Sequence, residues 1–446
     1  MKLKKRRSRL APTQIVAVVF AAVILAGTLL LTLPAATRDG KGCSFTDSLF
    51  TATSATCVTG LVRFDTGSHF TAFGQSVILL MIEVGGLGFM SMASLVVFAL
   101  RRKVGLKQRM IMAQALSVDE MDNAVKLQKW VLGGSLGIQA FGALILFVRF
   151  LPIYGVGQAA WYGIFHAVSG FCNAGFDVFG FGDSLVKWNT DPVVCITLMA
   201  LVSLGGLGFF VWEEVVRVRR FRQFSVYTKL VLITSLVLTV GGAAALCLTE
   251  WNGPAMAGMS PGTKILNSFF QSVTVRTAGF DSVGQGLLSD GGKGISMVLM
   301  LIGGSSGSTA GGMKTVTTLV VLLFLWAKAR GRSHVSVFKR NIPQAKALDA
   351  MTIMGILGFL AVFGAVFISA TSPVGLVDSL YESVSALATV GLTTGVTTSL
   401  SIPAQLLIIV YMYFGRVGIL TLSLGFLMGD RAEDRFRYAD TNLLIG

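Results

Sequence analysis

Four glycines recur at a spacing that could build a binding site. Gly60, Gly175, Gly279 and Gly391 each close a thirteen-residue segment: SLFTATSATCVTG (48–60), GIFHAVSGFCNAG (163–175), NSFFQSVTVRTAG (267–279) and SLYESVSALATVG (379–391). The segments align without gaps, each carries an aromatic residue at its third position, and the glycines lie 115, 104 and 112 residues apart. Recurrence at a near-constant period marks a repeated structural unit. Glycine permits backbone angles that turn carbonyls to one side without a Cβ clash. Four such backbones around one axis would replace the hydration shell of a monovalent cation with carbonyl oxygens. A divalent site would want a set of charged oxygen ligands, and no ring of carboxylates accompanies these loop ends.

A second glycine cluster interrupts an apolar stretch. Residues 303–312 read Gly303, Gly304, Ser305, Ser306, Gly307, Ser308, Thr309, Ala310, Gly311, Gly312. Glycine costs about 1 kcal/mol per helical position, and irregular backbone at membrane depth must be enclosed by protein or line a wet cavity. Two readings fit: a pliant loop below the four glycines that obstructs a pathway and moves on activation, or a small-residue face for helix packing. Arg416, in FGRVG, is a charge inside an apolar stretch, where charged side chains face the protein interior. It either opposes a cation electrostatically and bonds to that loop, or satisfies helix-end carbonyls. Lys314, just after the loop, is a second candidate for the same role. Arg276, inside VRTAG, would oppose a cation if it faced the axis, so it is expected to point behind the segment and pair with Glu83 or Glu382. His69, His166 and His334 are scattered, and the five cysteines form no CxxC pair; neither a zinc site nor a disulfide framework is suggested. GGLGF at 85–89 and 205–209 closes apolar stretches and follows no strand, which favours close packing or a bend over a dinucleotide fingerprint.

The elements that must hold these residues are membrane helices. The chain has 446 residues, 53% of them hydrophobic and 13% charged, against about 25% charged in average globular chains. That excludes a soluble multidomain protein and a disordered chain. Apolar stretches at 12–35, 73–100, 127–151, 192–216, 227–249, 294–327, 348–370 and 402–429 predict eight spans. Each of the four segments falls between two of them, and its helical part is too short to cross. A re-entrant half-helix followed by an extended return is therefore predicted. The net charge is +15, and 27 of the 37 Lys and Arg fall in 1–11, 101–129, 217–229, 328–346 and 430–446. All five lie on one side of an eight-span topology, so the positive-inside rule puts both termini in the cytoplasm and explains the charge without nucleic acid. No cluster of His or Asp suggests an enzyme.

With these pieces in place the chain resembles the Trk/Ktr/HKT superfamily of cation transporters. The resemblance rests on SLFTATSATCVTGL, FHAVSGFCNAGF, FFQSVTVRTAGF and SVSALATVGLTTG as its four filter regions. IEVGGLGFM, VSLGGLGFF, GGSSGSTAGGMK and FGRVGILTL resemble its second-helix motifs. It implies an all-α polytopic membrane protein with four pseudo-symmetric M1–pore loop–M2 repeats around one central ion pore. The repeats would be 12–100, 127–216, 227–327 (with the gating loop at 303–312) and 347–429. Cytoplasmic loops 101–126 and 328–346 and tails 1–11 and 430–446 would complete the chain. Carried over, the filter backbone is Val58, Thr59 and Gly60; Asn173, Ala174 and Gly175; Thr277, Ala278 and Gly279; Thr389, Val390 and Gly391. Glycine at all four positions favours potassium, since serine at the first is associated with sodium in plant relatives. Cys57 and Cys172 depart from the Thr or Asn common there. The chain is most similar to the KtrB-type membrane subunit of bacterial potassium uptake. That implies plasma-membrane location, homodimerisation, stimulation by sodium, no cofactor in this chain and control by a cytosolic nucleotide-binding ring of RCK type. The competing readings are a sodium-coupled potassium symporter and a less selective monovalent cation transporter. The short, partly apolar tail RFRYADTNLLIG fits a dimer contact or a frayed end equally, and the basic inside loops fit an acidic partner or anionic lipid.

Overall fold

The computed structural model describes residues 12–88, 121–332 and 334–418. The tails 1–11 and 430–446, loop residues 101–120 and the stretches 89–100 and 419–429 lie outside the described residues, and with them the expectations placed there.

The chain repeats one pattern of long helix, short helix and broken helix. First come α1 (Pro12–Leu31), α2 (Phe45–Thr56) and α3 (Ala72–Leu87). The twenty residues of α1 span about 30 Å at about 1.5 Å per residue, the thickness of a bilayer's hydrocarbon core. Next, α4 (Met121–Phe171) joins a long and a short helix across Gly155 (φ 75°), three residues after Pro152. It is followed by α5 (Pro192–Leu207) and α6 (Phe209–Val218), bent 94° from each other. The third set is α7 (Val226–Glu250), α8 (Pro261–Thr274), α9 (Asp290–Leu301) and α10 (Thr315–Ala329). The fourth is α11 (Gln344–Thr371), α12 (Leu376–Leu387) and α13 (Ile402–Val417). Between α10 and α11 a hairpin of β1 (Val335–Val337) and β2 (Arg340–Ile342) departs from the all-helical expectation. Its turn residues Phe338 and Lys339 both have positive φ (49° and 62°), the geometry that matches the twist of two short strands.

Sequence chemistry sets the helix ends. Ser44, Thr71, Asp191, Ser260, Ser289 and Ser401 cap α2, α3, α5, α8, α9 and α13, each accepting a first-turn N–H. Such caps contribute about 1 kcal/mol each. At the other end, α3, α5 and α13 stop at Gly88, Gly208 and Gly418, with φ of 83°, 93° and 93°. The last glycine of GGLGF is thus a break, and Gly418 of FGRVG repeats it.

Within each set the long, short and broken helices pack together, and the sets pack in a closed order: α3 on α4, α5 on α8, α9 on α12, and α13 back on α2. Large apolar side chains stay exposed on the outer faces, among them Leu29, Phe141, Leu236 and Phe359. Such a belt is stable only against lipid.

Candidate functional site

The four glycines meet. A Cβ added to Gly60 would lie 2.5 Å from the Ala174 carbonyl oxygen, on Gly175 2.6 Å from that of Ala278, and on Gly279 2.5 Å from that of Val390. On Gly391 it would run into the Thr59 carbonyl oxygen, which closes the ring. Each glycine is therefore required by the carbonyl of the next segment round, and four carbonyls converge where a side chain cannot fit.

The backbone within each segment is unusual in the same way. Val58, Asn173, Thr277 and Thr389 have φ of 55°, 59°, 74° and 52°, and the glycines two residues on have φ of 97°, 69°, 80° and 91°. Left-handed angles in β-branched residues are rare and cost roughly 1–3 kcal/mol. Handedness that changes at every residue turns successive carbonyls to one side, as lining a narrow axis demands. The short helices hold this strain in place. Ser54, Ser169 and Ser385 accept the N–H of Thr59, Ala174 and Val390 on their main-chain oxygens, each at 2.8 Å. The Ser54 and Ser385 hydroxyls accept the N–H of Gly60 and Gly391, while Ser169 and Thr274 donate theirs to the carbonyls of Phe176 and Phe280.

These hydroxyls were not singled out in the sequence, although a serine recurs at the seventh position of three segments. The fourth was hidden because the gapless alignment fails in the third segment. Ala278 N–H bonds to Thr274, four residues back instead of five. That segment is one residue shorter between helix and strained backbone. Accordingly Phe270, fully buried, takes the aromatic position that the gapless alignment assigned to the exposed Phe269.

Arg276 follows the shorter path. It points behind its segment, but not to a carboxylate: its guanidinium donates to the Ser235 carbonyl (3.2 Å) and the Thr239 hydroxyl (3.1 Å) on α7. Glu83 instead accepts from Gln139 and the Cys172 thiol, and Glu382 from the Thr397 hydroxyl. The pairing expected from charge alone fails because the turn after α8 presents Arg276 to α7, whose Ser235 carbonyl and Ser235 and Thr239 hydroxyls satisfy it.

The glycine–serine stretch between α9 and α10 is an extended loop that crosses to two other sets, the second and the fourth. Its Ser305 and Thr309 N–H groups bond to the Gly206 and Gly205 carbonyls at 3.0 and 3.1 Å. The Thr309 hydroxyl donates to Phe171 and contacts Asn173, while Gly311 lies against Thr389 so closely that a Cβ there would overlap it. The loop thus runs from Asn173 to Thr389, the first strained residue of two opposite segments. Gly303 and Gly304 lie against the Gly311 carbonyl and Ala310, so its two legs press on each other. Ser306, Gly307 and Ser308 form its tip, with Tyr227 donating to the Ser306 carbonyl at 3.1 Å. Gly312 N–H reaches the Gly415 carbonyl at 3.3 Å. Arg416 clamps the far side, donating to the carbonyls of Thr309, Gly85 and Gly86. Lys314 bonds within the loop, to the Ala310 carbonyl at 2.8 Å. The α5 glycines dock this loop and the α3 glycines dock Arg416; the repeated GGLGF signals close packing, but not which groups it serves.

Outward of the ring lies a cavity of about 440 Å³, floored by the four glycines and walled by Asp65, Asp177, Asp183 and Asp281. Arg63 also faces it but is paired with Asp47 at 2.9 Å. Burial first, then the Asp65 charge, push the Asp177 carboxyl up to about 7, against a lowering hydrogen bond from the Phe179 N–H. Among the described residues no cluster of His, Cys, Asp and Glu has the makings of a metal site.

A ring of strained re-entrant segments inside a multi-pass helical bundle defines a membrane transport protein. The chain belongs to the TrkH family of cation transport proteins, whose family model matches residues 3–433. It is 39% identical to the potassium/sodium uptake protein NtpJ of Enterococcus hirae, over 100% of this chain and 99% of that one. It is 37% identical to the Ktr system potassium uptake protein B of Bacillus subtilis, covering 98% and 97% of the two chains. The fold is similar to the crystal structure of the potassium transporter TrkH from Vibrio parahaemolyticus, with a TM-score of 0.73 at 17% identity, over 95% of this chain and 86% of that one.

Proposed function

We propose that this chain is the potassium-translocating membrane subunit of a bacterial potassium uptake system. The observation that carries the reading is the convergence of the Thr59, Ala174, Ala278 and Val390 carbonyls at four glycines. Those oxygens, with their neighbours in Val58–Gly60, Asn173–Gly175, Thr277–Gly279 and Thr389–Gly391, replace the water around a dehydrated monovalent cation. The four short helices point their C-terminal ends toward the ring, and their partial negative charge favours a cation there. The loop 303–312 is the gate, and Arg416 clamps it and opposes a cation below the ring. Two relatives with whole-length matches are named as potassium uptake proteins, which supports potassium as the carried ion. The name Ktr system supports a multicomponent assembly; a homodimer under a cytosolic nucleotide-binding ring, in the plasma membrane with both termini inside, completes the proposal. Sodium is an activator in this reading.

Rubidium and sodium uptake into liposomes, compared for the protein and Gly60→Ser, tests it. Rubidium should exceed sodium in the unaltered protein, and the ratio should fall in the variant; an unchanged ratio overturns the assignment of the ring. The printed name of the Enterococcus relative, potassium/sodium uptake, favours a second reading in which sodium is also carried. Sodium uptake equal to rubidium, or obligatory with it, would select that reading.

A further inference from the structure

The stretch between α5 and α7 has a job that the proposed pathway does not use. After the 94° bend at Gly208, α6 runs across the direction of α5, so where α5 spans the bilayer, α6 lies near its plane. One face is buried through Phe209, Val211 and Trp212. The exposed Val216 (55%) of α6 leads past the helix end at Val218 to exposed Phe221 (48%) and to Arg219, Arg220 and Arg222. The local acids are already used: Glu213 pairs with Arg217 at 3.2 Å, and Glu214 accepts from Ser225 and Thr228. Arg219, Arg220 and Arg222 have no carboxylate partner among the described residues. Exposed apolar groups beside uncompensated arginines at the end of an in-plane helix are the requirements of an interface with anionic lipid. A soluble acidic partner would need the charge without the neighbouring Val216 and Phe221.

The same helix is wired to the loop. The first N–H of α6, on Phe209, donates to the Gly307 carbonyl at 2.8 Å. A Cβ on Gly307 would lie 3.0 Å from the Phe210 ring. On the other side of the arginines, Tyr227 of α7 holds Ser306. We infer that the α6 surface at Val216–Arg222 binds the headgroups of anionic phospholipid and thereby holds the 303–312 loop in its crossing position. The lipid site stands on the surface itself; its effect on flux rests on the pathway proposed above.

The probe is phosphatidylglycerol in phosphatidylcholine vesicles. Protein re-extracted from mixed vesicles should retain phosphatidylglycerol severalfold above its input ratio. The triple variant Arg219→Gln/Arg220→Gln/Arg222→Gln should retain the input ratio, while Arg330→Gln/Arg332→Gln, on the neighbouring basic turn, should behave as the unaltered protein. Equal enrichment in the triple variant overturns the site and leaves a soluble acidic partner as the occupant. In flux, phosphatidylglycerol should lower basal rubidium uptake at least twofold, and the triple variant and Tyr227→Phe should lose that response. Enrichment without a lipid effect on flux overturns the coupling. No rubidium uptake in any vesicle would instead strike at the pathway, with the enrichment arm unaffected.

Discussion

At the scale of residues, the site depends on backbone more than side chains. Glycine is needed at four positions because a neighbour's carbonyl occupies the space of a Cβ. Three β-branched residues accept left-handed angles because buried hydroxyls on the short helices hold the chain on both sides. Acidic charge enters at the mouth. Asp177 is the wall carboxylate whose ionisation falls near neutrality, at about 7. Its charge is present above that value and lost as pH falls through it. A negative mouth concentrates cations, so rubidium influx at low external concentration should drop by about twofold between external pH 8 and 6. Asp177→Asn should remove the pH dependence and give the lower rate throughout, read from initial rates in liposomes. A pH response that survives in the variant would overturn the assignment to Asp177.

At the scale of elements, the broken helices do the work. Three of them end at a left-handed glycine, and the free carbonyls just before that glycine become acceptors: Gly205 and Gly206 for the loop, Gly85 and Gly86 for Arg416. In the third set the break lengthens into the loop itself. The loop is therefore held by hydrogen bonds to element ends and hardly by apolar packing, which suits a part that moves. Deleting 305–310 should raise basal rubidium flux by at least tenfold without any partner. Arg416→Gln should raise it less, because Gly312 and Ser305 still hold the loop. Each bond of this kind contributes about 1 kcal/mol, or up to about 3 with a charged donor. Flux in liposomes checks both, and an unchanged rate after deletion would mean that the loop is only a packing device.

At the scale of the whole molecule, the packing of each broken helix on the next set closes a ring of four without a symmetric sequence. The third set has lost a residue before its strained segment and gained a loop after it, and still fits. In the proposed orientation, charge orders the ring in the membrane. The described turns 217–229 and 328–346 hold 11 of the chain's 37 Lys and Arg. Single cysteines in a cysteine-free background check this orientation: Gly40→Cys and Gly182→Cys should react with an impermeant maleimide from outside intact cells, and Gly331→Cys only after permeabilisation. Labelling of Gly331→Cys in intact cells would invert the topology.

Much of this was legible in the sequence for a physical reason. Span, break and turn are local properties, set by apolar run length, by glycine and by caps such as Ser44 and Ser401. The recurrence of Gly60, Gly175, Gly279 and Gly391 therefore announced four like units. What needed the tertiary structure was everything that depends on which groups meet. Thr274 replaces a serine one position away because a gap can be absorbed only in three dimensions. Arg276 bonds to a carbonyl and hydroxyls on α7, with no carboxylate partner among the described residues. Arg416 found Gly85, more than three hundred residues earlier in the chain. A chain specifies its local angles from near neighbours, but a buried polar group is satisfied by whatever packing brings beside it, and spacing along the sequence does not carry that information.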